Sequence, residues 1–288
     1  MKQTLLEKAA FFLLKKSFTI KSLTRTCFDI LARKESSILL LKILEDANAI
    51  SKEYTDEMKK VSSYITASPI IIAEKAGLNL ENNVVYSRFG IFTLNIETFK
   101  NSIENKLPFI SRSKAGLTAF VSGDKLKKKR EQLGLSLNSL SKKLGVSSRM
   151  ITRYESGSQE ITLKKAFKLY DLFGGDVFNK INLFDSSLTP ETNVKTDITK
   201  KYTQLGFDAS DVKKAPFSVI AKKEKEIILT EVGDKANPNL QPLSKMIDAH
   251  DLVIFRKKKP KNIPSMTKKE FLEFEKAREL IKFLKEFE

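Results

Sequence analysis

Residues 133–157 carry apolar side chains at spacings that predict two short helices joined by a tight turn. In the first helix Leu137, Leu140 and Leu144 lie three and four positions apart, so they share one face that must be buried. Gly145 then ends the helix, because glycine enters the left-handed backbone conformation without steric cost. This segment is therefore expected to fold as a compact helical unit around its leucine face.

A second helix is expected to begin after Ser147, whose hydroxyl can accept a hydrogen bond from a free backbone amide as the N-cap. Ile151 and Tyr154 then face the same core. The opposite, outward face carries Ser148, Arg149, Thr152 and Arg153. A helix supported in this way by a preceding helix is the arrangement that enters the major groove of DNA.

Further helices are expected on both sides of this pair. Upstream, Leu126 lies on a helix that Gly134 closes, and downstream Thr162 caps a helix that Gly174 closes. Together these elements predict an all-helical bundle over residues 124–184.

The pattern resembles the Cro/C1 (Xre) helix-turn-helix family. Arg130, the Leu-Gly-Val-Ser sequence at 144–147 and the Ile-x-Arg-Tyr-Glu-x-Gly sequence at 151–157 match the family pattern. Two positions depart from it, because Leu137 stands where the family usually has Gln and Ser141 stands where it has Ala. The resemblance implies a DNA-binding domain of this fold, in which the contact usually made by that Gln is absent.

The family's docking mode implies a division of roles between side chains. Ser148, Arg149 and Thr152 are expected to reach base edges, whereas Arg153 and Lys143 are expected to meet phosphates or to support the interface. Arg130 is given the same phosphate or supporting role. The residues predicted for the DNA interface are Arg130, Lys143, Ser147, Ser148, Arg149, Thr152 and Arg153.

Charge is consistent with a nucleic-acid partner. The 288-residue chain has a net charge of +17 and a calculated pI near 9.7, which creates a positive potential that attracts phosphate. The excess is spread as +6, +6 and +5 over residues 1–122, 123–185 and 186–288. A local cluster at residues 256–259 is equally consistent with a solvated loop and with a phosphate contact.

The remaining composition argues against several classes of protein. A lone cysteine, Cys27, and a lone histidine, His250, exclude an intrachain disulfide and argue against a zinc site, and no cofactor motif is present. Lysines bracket the apolar run at residues 9–14, which is too short to span a membrane. A cytoplasmic protein without a cofactor is therefore expected.

A repeat flanks the helical domain. Residues 27–43 align without a gap on residues 216–232, which lie 189 positions further along the chain. Identical pairs include Phe28 with Phe217, Ala32 with Ala221, and Glu35 with Glu224. Each copy predicts a helix, a short strand, a hairpin, a later helix and an apolar strand. Two related α/β modules are therefore expected to enclose the central domain.

Each hairpin resembles the core of the restriction-endonuclease and Holliday-junction-resolvase fold. In that fold an Asp and an acid-x-Lys sequence on neighbouring strands hold Mg²⁺ and the attacking water. Asp29 and Lys42 stand at two of these positions, but Leu40 replaces the second acid. In the other copy Ser218 replaces the Asp and Glu231 replaces the Lys. Both modules are therefore predicted to be noncatalytic and to serve binding or assembly, unless another acid substitutes.

Two further segments, residues 63–76 and 84–99, resemble the N-terminal region of a family of archaeal HTH-type transcriptional regulators. The predicted fold is α/β plus all-α, with an α/β module at 1–115, a Cro/C1-type domain at 116–185 and a second α/β module at 186–288. The predicted function is transcription regulation, without enzymatic activity, by a homodimer bound to double-stranded DNA. A nuclease or junction-binding protein is the alternative, and the sequence identifies no effector ligand.

Overall fold

A computed structural model of the chain describes residues 2–113, 116–157, 159–184 and 192–287. It forms two compact units: unit 1 combines Met1–Ile72 with Phe184–Glu288, and unit 2 is Ala73–Leu183. Residue 115 and residues 185–186, where the sequence placed its domain boundaries, lie outside the described residues. Unlike the predicted division, residues 73–113 group with the helical domain, and the two outer modules group with each other.

The first part of unit 1 is an α/β module whose sheet is covered by its first helix. Its elements are α1 (Lys2–Lys15), β1 (Thr19–Ser22), β2 (Ile30–Lys34), β3 (Ser37–Asp46), α2 (Lys52–Tyr64) and β4 (Ser68–Ala76). Strands β1, β2 and β3 are antiparallel neighbours, and β4 lies next to β3. Leu5, Ala9 and Leu13 recur every four residues along α1, so they form the buried face that packs against the sheet.

Unit 2 contains a short β-sheet as well as the predicted helices. Its elements are β5 (Leu78–Asn79), β6 (Val84–Arg88), β7 (Ile91–Leu94), α3 (Ile96–Ile103), β8 (Ile110–Ser113), β9 (Gly116–Phe120), α4 (Gly123–Gln132), α5 (Leu137–Leu144), α6 (Ser148–Glu155), β10 (Glu160–Thr162) and α7 (Leu163–Phe173). The strand order is β7-β6-β8-β9-β10.

The expected all-helical central domain is wrong in one respect. Strand β10 pairs antiparallel with β9, so that Ile161 lies opposite Ala119. Both side chains are fully buried, while Glu160 and Thr162 on either side of Ile161 are exposed. This alternation is the strand pattern, and it adds an antiparallel strand pair beside the helical core.

The C-terminal module of unit 1 has a five-stranded sheet in the order β11-β12-β13-β14-β15. Its elements are α8 (Asp197–Gln204), β11 (Asp208–Asp211), β12 (Val219–Lys223), β13 (Glu226–Val232), α9 (Leu240–Met246), β14 (His250–Phe255), β15 (Ser265–Thr267), α10 (Lys268–Glu273) and α11 (Ala277–Lys285). Strands β13, β14 and β15 run parallel to one another. Strand β12 is antiparallel to both of its neighbours, β11 and β13. Across the residues that the structure describes, no helix is long and apolar enough to cross a membrane.

The two modules share backbone detail as well as element order. Glu35 and Glu224, at equivalent positions of the two hairpin turns, both adopt a φ of +54°. The ends of α2 and α9 also match, because Ala67 donates its backbone N–H to Ser62 O and Ala249 donates to Ser244 O, each at 2.9 Å. The repeat predicted from sequence is therefore present in three dimensions.

The modules contact each other within unit 1 through reciprocal positions. Arg33 on β2 donates to Met246 O at 2.7 Å and forms an ion pair with Asp248 after α9. Lys222, the equivalent of Arg33 on β12, donates to Thr66 Oγ1 after α2 at 3.3 Å. Asp248 and Thr66 occupy equivalent left-handed positions, each with a φ of +53°. The pairing thus follows the rule of a two-fold dimer, in which each partner uses the same patch.

Candidate nucleic-acid interface

The turn between α5 and α6 has the predicted geometry. Gly145 lies in the left-handed region, with φ +67° and ψ +48°, and closes α5. Val146 donates its backbone N–H to Ser141 O at 3.0 Å, which completes the helix end. Ser147 then caps α6, since its hydroxyl accepts a hydrogen bond from Met150 N at 3.3 Å. Two local features, a glycine and a serine, therefore end α5 and begin α6.

The core beneath the helix pair is apolar and closed. Leu140 and Leu144 of α5 and Ile151 and Tyr154 of α6 are buried in one cluster, which also receives residues of α4 and α7. Burial raises the pKa of the Tyr154 phenol above its usual value. Because this side of α6 is committed to the core, its orientation is fixed by packing rather than by the turn alone.

The outward side of α6 is polar and basic. Arg149, Thr152 and Arg153 are exposed, and Arg149 makes no hydrogen bond or ion pair within the described chain. Lys143 is exposed in the last turn of α5. Three of the residues predicted for the DNA interface are therefore exposed on α6, and Ser147 lies at the start of that helix.

The hydroxyls of Ser148 and Thr152 form hydrogen bonds within the domain. Ser141 donates to Asn138 O at 2.9 Å, and its Oγ lies 3.3 Å from Ser148 Oγ, which is therefore the donor of that pair. Thr152 donates to Ser148 O at 3.3 Å. The serine that replaces the family's usual alanine at position 141 thus anchors Ser148, leaving the Ser148 and Thr152 oxygens as acceptors.

Arg130 is placed inside the domain, not at the phosphate surface. Its Nε donates to Glu155 Oε1 at 2.5 Å, Nη2 to Glu155 Oε2 at 3.1 Å, and Nη1 to Leu135 O at 2.9 Å. Hydrogen bonding to Glu155 raises the pKa of the guanidinium above its usual value. Since both charged side chains are only 10% exposed, Arg130 positions the end of α6, which is the supporting role rather than a phosphate contact.

Sequence reasoning missed two residues that hold this helix. Glu155 lies in the matched family pattern, and its opposite charge to Arg130 was the available signal. Gly123, at the start of α4, packs so closely on α6 that an added Cβ would collide with the Glu155 carbonyl oxygen. Nothing in the local sequence around Gly123 indicates this contact, because its partner lies on another helix.

Asp29 and Lys42, the nuclease-like positions of the N-terminal module, form a buried ion pair. Asp29 is buried, and its Oδ1 accepts from both Lys42 Nζ and Lys2 Nζ at 3.3 Å. Its Oδ2 accepts from Ile43 N at 2.8 Å. Lys42 also donates to Thr26 O at 2.8 Å, and burial lowers the pKa of its ammonium. The structure therefore brings Asp29 and Lys42 into contact.

This site does not fit Mg²⁺. Leu40, at the position of the second acid, is fully buried, and Glu7 is exposed and accepts from Gln3 on its own helix. Within the described ranges no three His, Cys, Asp or Glu side chains lie close enough to hold a metal ion. A single carboxylate that already binds two ammonium groups lacks the oxygen ligands that Mg²⁺ requires.

The C-terminal copy keeps the backbone contact and loses the carboxylate. Ser218, equivalent to Asp29, accepts a hydrogen bond from Val232 N at 3.4 Å, the counterpart of the Ile43 contact. Glu231, equivalent to Lys42, accepts from Asn237 N at 2.6 Å, and burial raises the pKa of its carboxyl. The acid and lysine of the nuclease pattern are therefore both absent from this copy.

Two parts of this chain match sequence models of known protein families. Residues 2–108 match the sequence model of the PD-(D/E)XK superfamily domain, and residues 126–177 match that of the helix-turn-helix. A protein of Archaeoglobus fulgidus named "Putative HTH-type transcriptional regulatory protein" is 31% identical over 306 residues, covering 99% of this chain and 98% of its own length. This chain belongs to that family of HTH-type transcriptional regulatory proteins.

Other archaeal HTH-type regulatory proteins are similar over at least two thirds of their length. A relative from Methanocaldococcus jannaschii is 29% identical over 308 residues, covering 99% of this chain and 97% of its own length. One from Methanoculleus marisnigri is 32% identical over 212 residues, covering 72% and 69%. No solved structure matches this chain. This chain thus combines a PD-(D/E)XK superfamily domain and a helix-turn-helix.

Proposed function

We propose that this chain is a sequence-specific DNA-binding transcriptional regulator that reads the major groove through α6. The observation that carries the proposal is the outward face of α6, where Arg149 and Thr152 are exposed on a helix held rigidly by a buried core. A base-reading helix needs this combination, because side chains can select a base only when the helix is held in one position. The names of the archaeal relatives support the same function.

Selection of bound sequences from random double-stranded DNA tests the proposal. A regulator of this kind enriches a defined motif, whereas a nonspecific or shape-directed binder enriches none. Arg149→Ala is expected to lose about 1 to 3 kcal/mol on the selected site and to relax one base position.

Arg153→Ala provides the contrast, since loss of a phosphate contact weakens binding to all DNA sequences similarly. Arg278→Ala, at an exposed arginine on α11, is the matched control for loss of one positive charge. Equal losses for the two α6 variants on specific and random DNA would refute the base-reading role of Arg149.

We infer that this regulator binds as a homodimer to two related half-sites about 34 Å apart, because one small reader contacts too few base pairs for specificity. The faces around Arg33 and Lys222 are already paired within one chain, so a second copy has to meet a different surface. Light scattering of the free chain and of its DNA complex tests this, and a single copy in both would contradict it.

A DNA-processing or junction-binding protein is the second candidate, favoured by the PD-(D/E)XK match over residues 2–108. Against cleavage stand Leu40 in the first module and Ser218 in the second. We therefore propose that the modules act without cutting DNA, through binding or assembly.

A further inference from the structure

Unit 2 contains a cavity of about 780 Å³ beside α7. One wall is α7, and the other comprises residues 105–110, the segment that leads from α3 into β8, with residues 82–83 at the rim. Small-molecule sites in proteins have volumes of roughly 300 to 1,000 Å³ and walls that are mostly apolar. The cavity has the size and the lining of such a site.

Three aromatic rings line its walls. Phe167 and Tyr170 lie one turn apart on α7 and line the cavity while remaining 57% and 49% exposed. Phe109 lines the opposite wall and stacks on buried Phe178 with ring centroids 4.8 Å apart, so its position is fixed. Large exposed rings that converge on one concavity are typical of surfaces that bury a partner. The walls are suited to a flat ring system.

Polar groups at the rim are mainly donors. The Asn82 amide oxygen accepts from Asn95 and the Asn83 amide oxygen accepts from Asn101. The NH₂ groups of Asn82 and Asn83 make no hydrogen bond to the part of the chain that the structure describes, so they can donate to a ligand. Lys180 Nζ lies 4.8 Å from the centroid of the Phe109 ring, without an ion pair among the described residues. A ligand that satisfies this rim has to bring acceptor oxygens and negative charge.

We propose that this cavity binds a small aromatic anion, with its ring against Phe167 and Tyr170 of α7 and its carboxylate or phosphate directed at Lys180. Among the described residues that line the cavity, Asp171 is the one acidic group, and its charge repels a second anionic group placed near it. The ligand therefore carries its anionic group at one end of the molecule.

The ligand is an effector of the reader helices, a role that rests on the proposed function. The adjoining face of α7, formed by Leu169 and Phe173, is buried in the same core as α5 and α6. A molecule that packs against Phe167 and Tyr170 thus acts on a helix that contacts α5 directly. Its binding free energy can therefore shift the equilibrium position of α6.

Fluorescence anisotropy of 2-naphthoate titrated with the full-length, DNA-free chain tests the binding site. The chain contains no tryptophan, so the naphthalene signal is free of indole emission. We expect saturable binding, about tenfold weaker for neutral 2-naphthamide and for the Lys180→Gln variant, because each removes a charge-assisted contact. Phe167→Ala is expected to weaken binding by about two- to tenfold through loss of ring packing.

Two variants in the same unit are matched controls. Phe120→Ala removes an exposed phenylalanine on β9 that does not line the cavity, and Lys127→Gln removes an exposed lysine on α4. Both are expected to bind 2-naphthoate as the unmodified chain does. Absence of saturable binding, or equal weakening by the control variants, would overturn the site.

A second measurement separates the site from the function of the chain. Saturating 2-naphthoate is expected to change the affinity for the selected DNA sequence, and an unchanged DNA affinity would overturn the effector role. If the chain bound 2-naphthoate but selected no DNA sequence, the proposed function would fail while the ligand site stood.

Discussion

The ion pair between Arg130 and Glu155 is predicted to be the main polar determinant of α6 position. Glu155→Gln keeps the shape of the side chain and removes its charge, so the buried guanidinium loses its counter-ion. Breaking one side of a buried pair costs about 3 to 5 kcal/mol. Because both side chains are only 10% exposed and Gln still accepts one hydrogen bond, we expect a loss near the lower end, about 3 kcal/mol.

A double-mutant cycle separates this pair from general damage to the core. In the Arg130→Met, Glu155→Leu double variant no buried charge remains, so its cost is expected to be lower than the sum of the single variants by about 2 kcal/mol or more. Glu131 is the matched control, since it contacts the same guanidinium at 3.4 Å but is 55% exposed. Glu131→Gln is expected to change stability by no more than about 0.5 kcal/mol.

Hydrogen exchange of the α4, α5 and α6 amides in the full-length chain is the appropriate measurement. A chain with two compact units need not unfold in one transition, whereas exchange reports the opening of each helix separately. A loss below about 1 kcal/mol for Glu155→Gln, or additive costs within about 0.5 kcal/mol, would refute the reasoning.

Three further outcomes follow from individual sites. Gly123→Ala is expected to destabilise unit 2 by about 1 to 3 kcal/mol through collision with the last carbonyl of α6, whereas Gly233→Ala, in open space, stays near neutral; equal melting shifts would contradict this. Burial raises the pKa of Cys27 to about 12 from an ordinary value of 9.0. Stability is therefore complete below pH 9 and falls above it, by up to about 1.4 kcal/mol per pH unit, and a Cys27→Ala variant with the same slope between pH 9 and 10 would refute the assignment. Plasmid and four-way junctions are expected to stay intact in Mg²⁺ or Mn²⁺; cleavage abolished by Asp29→Ala or Lys42→Ala would establish a nuclease.

Local signals were sufficient to predict the helix-turn-helix. The spacing of Leu140, Leu144 and Ile151 depends on helix geometry alone, and Gly145 and Ser147 act on backbone groups within a few residues of themselves. Interactions of this range are the same in almost any fold, so the sequence pattern determines them.

The role of Arg130 depended on a distant partner. Its charge is visible in the sequence, but the choice between a phosphate and a carboxylate rests on Glu155, which lies 25 residues further along the chain. Strand β10 is similar, because its three residues form a strand only where β9 offers a free edge. In both cases the role of the residues depends on a partner that is distant in sequence, and only the tertiary structure shows that partner.

The amino-acid sequence by itself determined the reader helices, the repeated modules and the absence of a second acid at Leu40. Tertiary structure alone decided that the modules pair with each other, through contacts such as the one joining Arg33 and Asp248 across 215 positions, and that a cavity forms beside α7. The physical reason is range. Helix periodicity and capping act between near neighbours, whereas contacts across hundreds of residues depend on how the whole chain packs.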